Sequence, residues 1–314
     1  MSCISPSVVH KGSSAFLSPC RCCSQCVASR IAEYTFLFRK EWLKPYFARS
    51  GGSFLCLTYD NSTLPVSSKG YMTTKVDDLQ RFLKRFRINL TRAGYDIPVK
   101  YVACTEYGSD NGRPHMHISM LGVPPVLCAD VARKSWTERR YGGLIDVDPL
   151  EIAGVSYCLK YLSKQHPLGK IKQEYEDRDC ETPRVLVSKG LGVDWICNHA
   201  NEIVKNNFTF FENGEKHLYS KKVRSYVEAF TGVDPRPYVK DYMQKIDTHG
   251  LPLDDYNSIK DYDHYREEYL KSIQKGNSAW RFPALRLPPI MRSTYNTDYK
   301  SIVDEIIYPD KVPF

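Results

Sequence analysis

Pro114-His115-Met116-His117-Ile118-Ser119-Met120-Leu121 carries more of the fold than any other segment of this chain. It reads as a strand, and strand side chains alternate between faces with a period of two. His115 and His117 therefore share one face, while Met116 is left for the opposite, core face. Two neutral imidazoles at that spacing form a bidentate grip for a divalent metal. Two histidines can also share a strand face without function, so the flanking segments must decide.

On the N-terminal side, residues 99–105 read as a second strand from their aromatic and β-branched content. Glu106 to Pro114 holds Gly108, Asp110-Asn111-Gly112 and Pro114, the composition of a hairpin connection. The hairpin returns Glu106 to the side of the histidine strand. That makes Glu106 the candidate oxygen ligand that a hard ion such as Mg²⁺ or Mn²⁺ requires, with Asp110 at the turn tip. Further upstream, residues 54–60 predict a strand and residues 61–70 a loop. Asp77 and Asp78 then open a basic amphipathic helix. Its apolar positions Leu79, Phe82, Leu83, Phe86 and Leu90 follow helical spacing, with Arg81, Lys84, Arg85 and Arg87 outside the stripe and Gly94 ending it. Downstream, residues 144–147 predict a short strand, and Pro149 precedes a helix running to about Gln165.

Residues 50–165 thus read strand, helix, strand, strand, strand, helix, an α+β pattern with an antiparallel sheet. Residues 30–47 predict a helix ending near Pro45, after a loose start over 1–19. Beyond 205 the chain is rich in Tyr, Lys and Asp, with a helix expected over 258–275 and a Pro-rich tail. The expected organisation is an N-terminal Cys-rich segment and helix (1–49), a core (50–200) and a C-terminal region without an assigned role (201–314). There is no internal repeat.

The 314 residues are 42% hydrophobic and 12% aromatic, which suits a folded protein. A formal charge of +8 permits a polyanionic partner without requiring one. No apolar run approaches the ~18 residues of a membrane helix, and no secretory leader is expected. Among the 11 cysteines, four crowd into Cys20-Arg21-Cys22-Cys23-Ser24-Gln25-Cys26. Neighbours this close pair poorly as disulfides, so a reducing cytoplasm is expected. The Cys20, Cys23, Cys26 spacing allows a structural Zn²⁺ with Cys22 in reserve, although no second ligand pair follows. Reduced structural or surface thiols are the alternative.

The helix ending near Gln165 carries the remaining chemistry. At about 100° per residue, Ile152, Val155, Leu159 and Leu162 form a buried stripe, while Tyr157, Lys160, Tyr161 and Lys164 fall on the other side. Tyr157 and Tyr161 are i,i+4 neighbours and can address one point in space. A tyrosine hydroxyl is a nucleophile only when assisted, since its pKa near 10 leaves little phenolate at neutral pH. A divalent ion held by His115 and His117 would polarise a phosphate oxygen, and Lys160 or Lys164 would stabilise the developing charge.

His115-Met116-His117 resembles the histidine–hydrophobic–histidine motif of the HUH endonucleases. The run Tyr157-Cys158-Leu159-Lys160-Tyr161-Leu162-Ser163-Lys164 resembles their two-tyrosine motif. The likeness is closer still to the replication initiators of microviruses, especially gokushoviruses. It is carried in order by Pro19-Cys20 with Cys23 and Cys26, Leu57-Thr58-Tyr59-Asp60 with Leu64-Pro65, and the basic helix from Asp78 to Arg85. Glu106-Tyr107-Gly108, the histidine strand, the tyrosine helix and Ser188-Lys189-Gly190-Leu191-Gly192 complete it. Cys104-Thr105 stand where the family often has a glycine, and Ser188-Lys189 where it has Ser-Arg.

The resemblance implies an HUH fold, with the tyrosine helix packed across an antiparallel sheet that carries the histidines. It also implies nicking of single-stranded DNA at a phage origin in the bacterial cytoplasm, through a 5′-phosphotyrosine link that frees a 3′-OH primer. Two tyrosines imply alternating cleavage and rejoining. Phosphate neutralisation would fall to Arg81, Lys84, Arg85 and Arg87, with Arg133, Lys134, Arg139 and Arg140 as a second cluster. The chain contains no G-x-x-x-x-G-K-[ST] sequence, so strand opening would fall to a host helicase and extension to a host polymerase. A plasmid relaxase, a single-strand transposase and a non-catalytic zinc-stabilised nucleic-acid-binding protein are the other readings these residues allow.

Overall fold

A computed structural model describes residues 7–244 apart from 12–13, 22–23, 97, 109–111, 139–142 and 166–169. The hairpin β1 (Ser7–Lys11) and β2 (Ser14–Ser18) precedes α1 (Ser24–Trp42). Pro45 opens the short α2 (Pro45–Ser50), its fixed φ and missing N–H suiting a first helical position. Next come β3 (Gly52–Thr58), α3 (Val76–Arg92), β4 (Lys100–Tyr107) and β5 (Pro114–Leu121). They are followed by α4 (Pro125–Ser135), β6 (Ile145–Pro149) and α5 (Ile152–Leu159). A 3₁₀ turn over Lys160–Gln165 leads to α6 (Lys170–Asp177) and β7 (Val185–Val187). The last described elements are α7 (Val193–Asn198), α8 (Ala200–Lys205), the hairpin β8 (Thr209–Glu212) and β9 (Glu215–Leu218), α9 (Lys221–Thr231) and α10 (Arg236–Gln244).

Two units divide this chain. One comprises Arg39–Gln165 with Gln173–Leu191, and the other joins the residues up to Phe38 with those from Gly192 onward. The first unit is built on a five-stranded sheet of order β6-β3-β5-β4-β7, with every pair antiparallel. The expected α+β class is what forms, and the histidine strand β5 lies at its centre. Across the sheet Cys56, His117 and Cys104 align, as do Thr58, His115 and Glu106. The alternate positions Leu55, Leu57, Ala103, Met116, Ile118 and Met120 face the other way into the main core. There they meet the α3 stripe Leu79, Phe82, Leu83, Phe86 and Leu90, all buried as its spacing predicts. Helix α4 completes that layer with Leu127, Cys128, Val131 and Ala132. Trp136 is fully buried just after it, and its indole donates to the Thr58 carbonyl at 2.7 Å. Helix α5 packs on β4 and β5.

The structure departs from the sequence expectations in several places. Neither α4 nor β7 has a counterpart among the predicted elements. The start read as loose carries the β1–β2 hairpin, paired from Ser7↔Ser18 to Lys11↔Ser14. The helix expected through Gln165 ends as α-helix at Leu159 and tightens into the 3₁₀ turn, a common finish for a helix. The expected helix over 258–275 and the Pro-rich tail lie outside the described residues.

In the second unit, Ala32 and Leu37 of α1 share a core with Ile196, Ala200, Ile203, Phe208, Phe210, Tyr219, Val223 and Val227. The buried Glu33 accepts the backbone N–H of Ser220 at 2.5 Å, and the Ser220 hydroxyl caps α9 through Val223 N–H.

Candidate metal and tyrosine site

The β4–β5 hairpin sets Glu106 directly opposite His115. The Nδ1 of His115 lies 3.0 Å from the Arg113 carbonyl oxygen. A carbonyl only accepts, so Nδ1 carries the proton and Nε2 turns toward Glu106, where it meets Oε1. The Nε2 of His117 stands 3.4 Å from the same carboxylate oxygen. One ligand atom from each of Glu106, His115 and His117 falls within 4.8 Å of the others.

Glu106 is 3% exposed. Its Oε2 and both ring nitrogens of His117 are buried and have no hydrogen-bond partner among the described residues. A buried polar group left unsatisfied costs about 1–3 kcal/mol, more when charged. Two imidazole nitrogens and a carboxylate oxygen converging without enough donors among themselves suit a divalent cation, so the residues fit a metal. Burial raises the Glu106 pKa, but the facing His115 and His117 outweigh it and hold the carboxyl well below its usual range. His115 moves the other way. Burial pulls its pKa down, whereas Glu106 and the Arg113 carbonyl push it up further, leaving it raised.

From α5, the Tyr157 hydroxyl donates to Glu106 Oε1 at 2.9 Å. Its ring meets His117 edge-on at 4.9 Å. Burial first, and the Glu106 charge second, push the phenol pKa above its ordinary value, so the hydroxyl is held protonated. Lys160 Nζ sits 3.4 Å from the centre of the Tyr157 ring and 5.0 Å from that of Tyr161. The two tyrosine rings are 5.9 Å apart. Tyr161, expected on the solvated side, is instead 4% exposed, carried inward on the 3₁₀ turn that replaces the predicted helical end. The Lys164 side chain lies outside the described residues.

Other expected residues are not brought here. Arg81, Lys84, Arg85 and Arg87 belong to α3, which covers the core face of the sheet, whereas the histidines face α5. Arg81 lies near Asp77 and Asp78, at 3.9 and 3.7 Å. Arg85 donates to the Ser135 carbonyl at 3.0 Å. Arg87 stands over the Tyr101 ring at 5.4 Å, and Lys84 is exposed. Arg133 is near Asp130 at 3.7 Å, and Lys134 is exposed on the same helix. Arg139 and Arg140 lie outside the described residues, as does Asp110. The Cys20 and Cys26 sulfurs are 3.9 Å apart, while Cys22 and Cys23 fall outside the described residues. Among the described residues, no helix is long and apolar enough to cross a membrane.

Two residues at the site were not foreseen. Phe54 of β3 stacks on His117, and Gly154 of α5 lies against Phe54. The signal for Phe54 is its alternation with Leu55 and Leu57, which becomes interpretable only once β3 is known to pair with β5.

Residues 52–166 match the family of replication-associated proteins typified by ORF2. The chain is 24% identical over 220 residues to the replication-associated protein ORF2 of Spiroplasma virus 4, covering 67% of this chain and 66% of that one. It is also 24% identical over 269 residues to the replication-associated protein ORF4 of Chlamydia phage 1, covering 81% of this chain and 64% of that one. The match thus spans just under two thirds of either relative. No solved structure matches. The family segment contains all three candidate ligands and both tyrosines, and the chain belongs to the microvirus-type replication-associated proteins of the ORF2 family.

Proposed function

We propose that the chain initiates rolling-circle replication by nicking and rejoining single-stranded DNA at a phage origin, on an HUH-type sheet. The observation that carries this reading is the Tyr157 hydroxyl, 2.9 Å from the carboxylate that also faces both histidines. Glu106, His115 and His117 would hold Mg²⁺ or Mn²⁺, and the bound ion supplies Lewis-acid polarisation of a phosphate oxygen. Tyr157 Oη forms the bond to phosphorus and the bond to the 3′ oxygen breaks. The phenol gives up its proton and the departing oxygen takes one up, leaving a 5′-phosphotyrosine and a 3′-OH. Lys160 places positive charge beside the phenolate as it develops. Tyr157 makes the first attack, because Tyr161 is more deeply buried; Tyr161 serves the return reaction that closes the circle. The free 3′-OH primes a host polymerase, and a host helicase opens the strand.

The test is a denaturing gel of protein incubated with labelled single-stranded origin DNA and Mn²⁺. A protein–DNA adduct is expected, absent after chelation and reduced at least roughly a hundredfold in Tyr157→Phe. An undiminished adduct in that variant would overturn the assignment.

A further inference from the structure

The two histidines are oriented by different means. His115 is fixed by its Nδ1 hydrogen bond to the Arg113 carbonyl. His117 has no hydrogen-bond partner for either ring nitrogen among the described residues. Metal-ligating histidines ordinarily anchor the second nitrogen to an outer partner, which fixes the ring. What His117 has is an aromatic wall. Phe54 stands two residues before Cys56, the β3 partner of His117, and so lies on the same face of the sheet. Its ring runs nearly parallel to the imidazole, with centroids 5.3 Å apart and planes 13° off parallel, as in an offset stack. Tyr157 meets the same imidazole at 4.9 Å and 76°, and meets Phe54 edge-on at 6.3 Å.

Helix α5 is shaped to this ring. A Cβ on Gly154 would lie 2.7 Å from Phe54 Cδ2 and 3.1 Å from Cε2, closer than packed carbons tolerate. Gly154 is three residues before Tyr157, on neighbouring helical turns. The depth at which α5 rests on Phe54 therefore also sets the reach of the Tyr157 hydroxyl.

We propose that Phe54 is a positioning residue, whose ring holds the His117 imidazole facing Glu106 in place of the outer hydrogen bond that His115 has. This rests on the metal-site assignment above. It touches neither DNA nor the reacting atoms, and acts through His117 and α5. Without the flat ring, His117 samples orientations that turn its nitrogens away from the ligand set, and the site binds a cation less tightly.

The test uses the full chain without DNA, titrated with Mn²⁺ while free Mn²⁺ is followed by electron paramagnetic resonance. Phe54→Leu is expected to weaken Mn²⁺ binding about tenfold, within the range for losing an outer partner, with little change in the metal-free melting temperature. Phe54→Tyr, which restores a ring, is expected within about threefold of wild type. Imidazole ¹⁵N spectra of the metal-free protein should show His117 broadened in the Leu variant and sharp in the Tyr variant, with His115 unchanged in both. Where Phe54→Leu lowers the melting temperature, Phe54→Met serves as the ringless variant. Wild-type binding in the folded ringless variant overturns the inference, as does equal weakening by Phe54→Tyr. A wild-type chain that binds no Mn²⁺ overturns the metal-site assignment itself, and this inference with it.

Discussion

Glu106 faces His115, stands 3.4 Å from His117 and accepts the Tyr157 hydroxyl, so one carboxylate links ligand set and nucleophile. Its negative charge is what both imidazoles are turned toward. Glu106→Gln keeps the size and the acceptor for Tyr157 but removes that charge. It is expected to weaken Mn²⁺ binding by more than about a hundredfold, beyond the loss typical of an outer partner, as read by calorimetric titration. Near wild-type affinity would mean that Glu106 is not a ligand. His115, His117 and Glu106 were legible because a strand's period and a hairpin's return are local properties of the sequence. Phe54 was not, because its role depends on which strand lies beside β5.

Among the helices and strands, α3 shows how far local pattern reaches. Asp77 and Asp78 at its start and a stripe of large apolar residues specify the helix and its buried face without outside information. Phe82 is fully buried, with Phe86 at 5.6 Å and Trp136 at 6.0 Å. Phe82→Ala is expected to cost about 3–5 kcal/mol of stability by urea unfolding. The polar side of the same helix has a separate prediction. Arg81, Lys84 and Arg87 are exposed on the layer away from the tyrosines, where they can neutralise phosphates of flanking DNA. Replacing all three with serine should make the slope of log K against log salt shallower by about 2 for single-stranded DNA, measured by fluorescence anisotropy. An unchanged slope would remove α3 from the DNA-binding surface. Arg85 is left out because its guanidinium is engaged by Ser135. Helix α4 was less legible: its buried positions have helical spacing, but it opens on Pro124-Pro125, which reads as a break. β7 has only three residues, too few to show a period.

For the molecule as a whole, what the sequence leaves open is pairing at a distance. The antiparallel class follows from the hairpin, yet the order β6-β3-β5-β4-β7 depends on contacts far apart in the chain. The same holds for the second unit, in which α1 near the N-terminus shares a core with residues beyond 192. Glu33 sits within that unit, and burial raises its pKa against the lowering by Ser220, Arg224 and Lys222. Because the folded value lies above the unfolded one, the protonated form favours folding. Its contribution is full below the ordinary value of 4.5 and is lost as pH rises through the folded pKa. Glu33→Gln should flatten that decline, so its stability relative to wild type should increase from about pH 4 to about pH 8 in urea unfolding. A pH-independent difference would contradict the linkage.

Transfer of a phosphodiester from DNA to Tyr157 underlies the whole proposal, and peptide mapping of the protein–DNA adduct by mass spectrometry reads it out directly. A nucleotide 5′-phosphate is expected on Tyr157, together with a released strand whose 3′-OH a polymerase can extend. Attachment at a residue other than Tyr157 or Tyr161, or cleavage that leaves no 5′ end on the protein, would rule the transfer out.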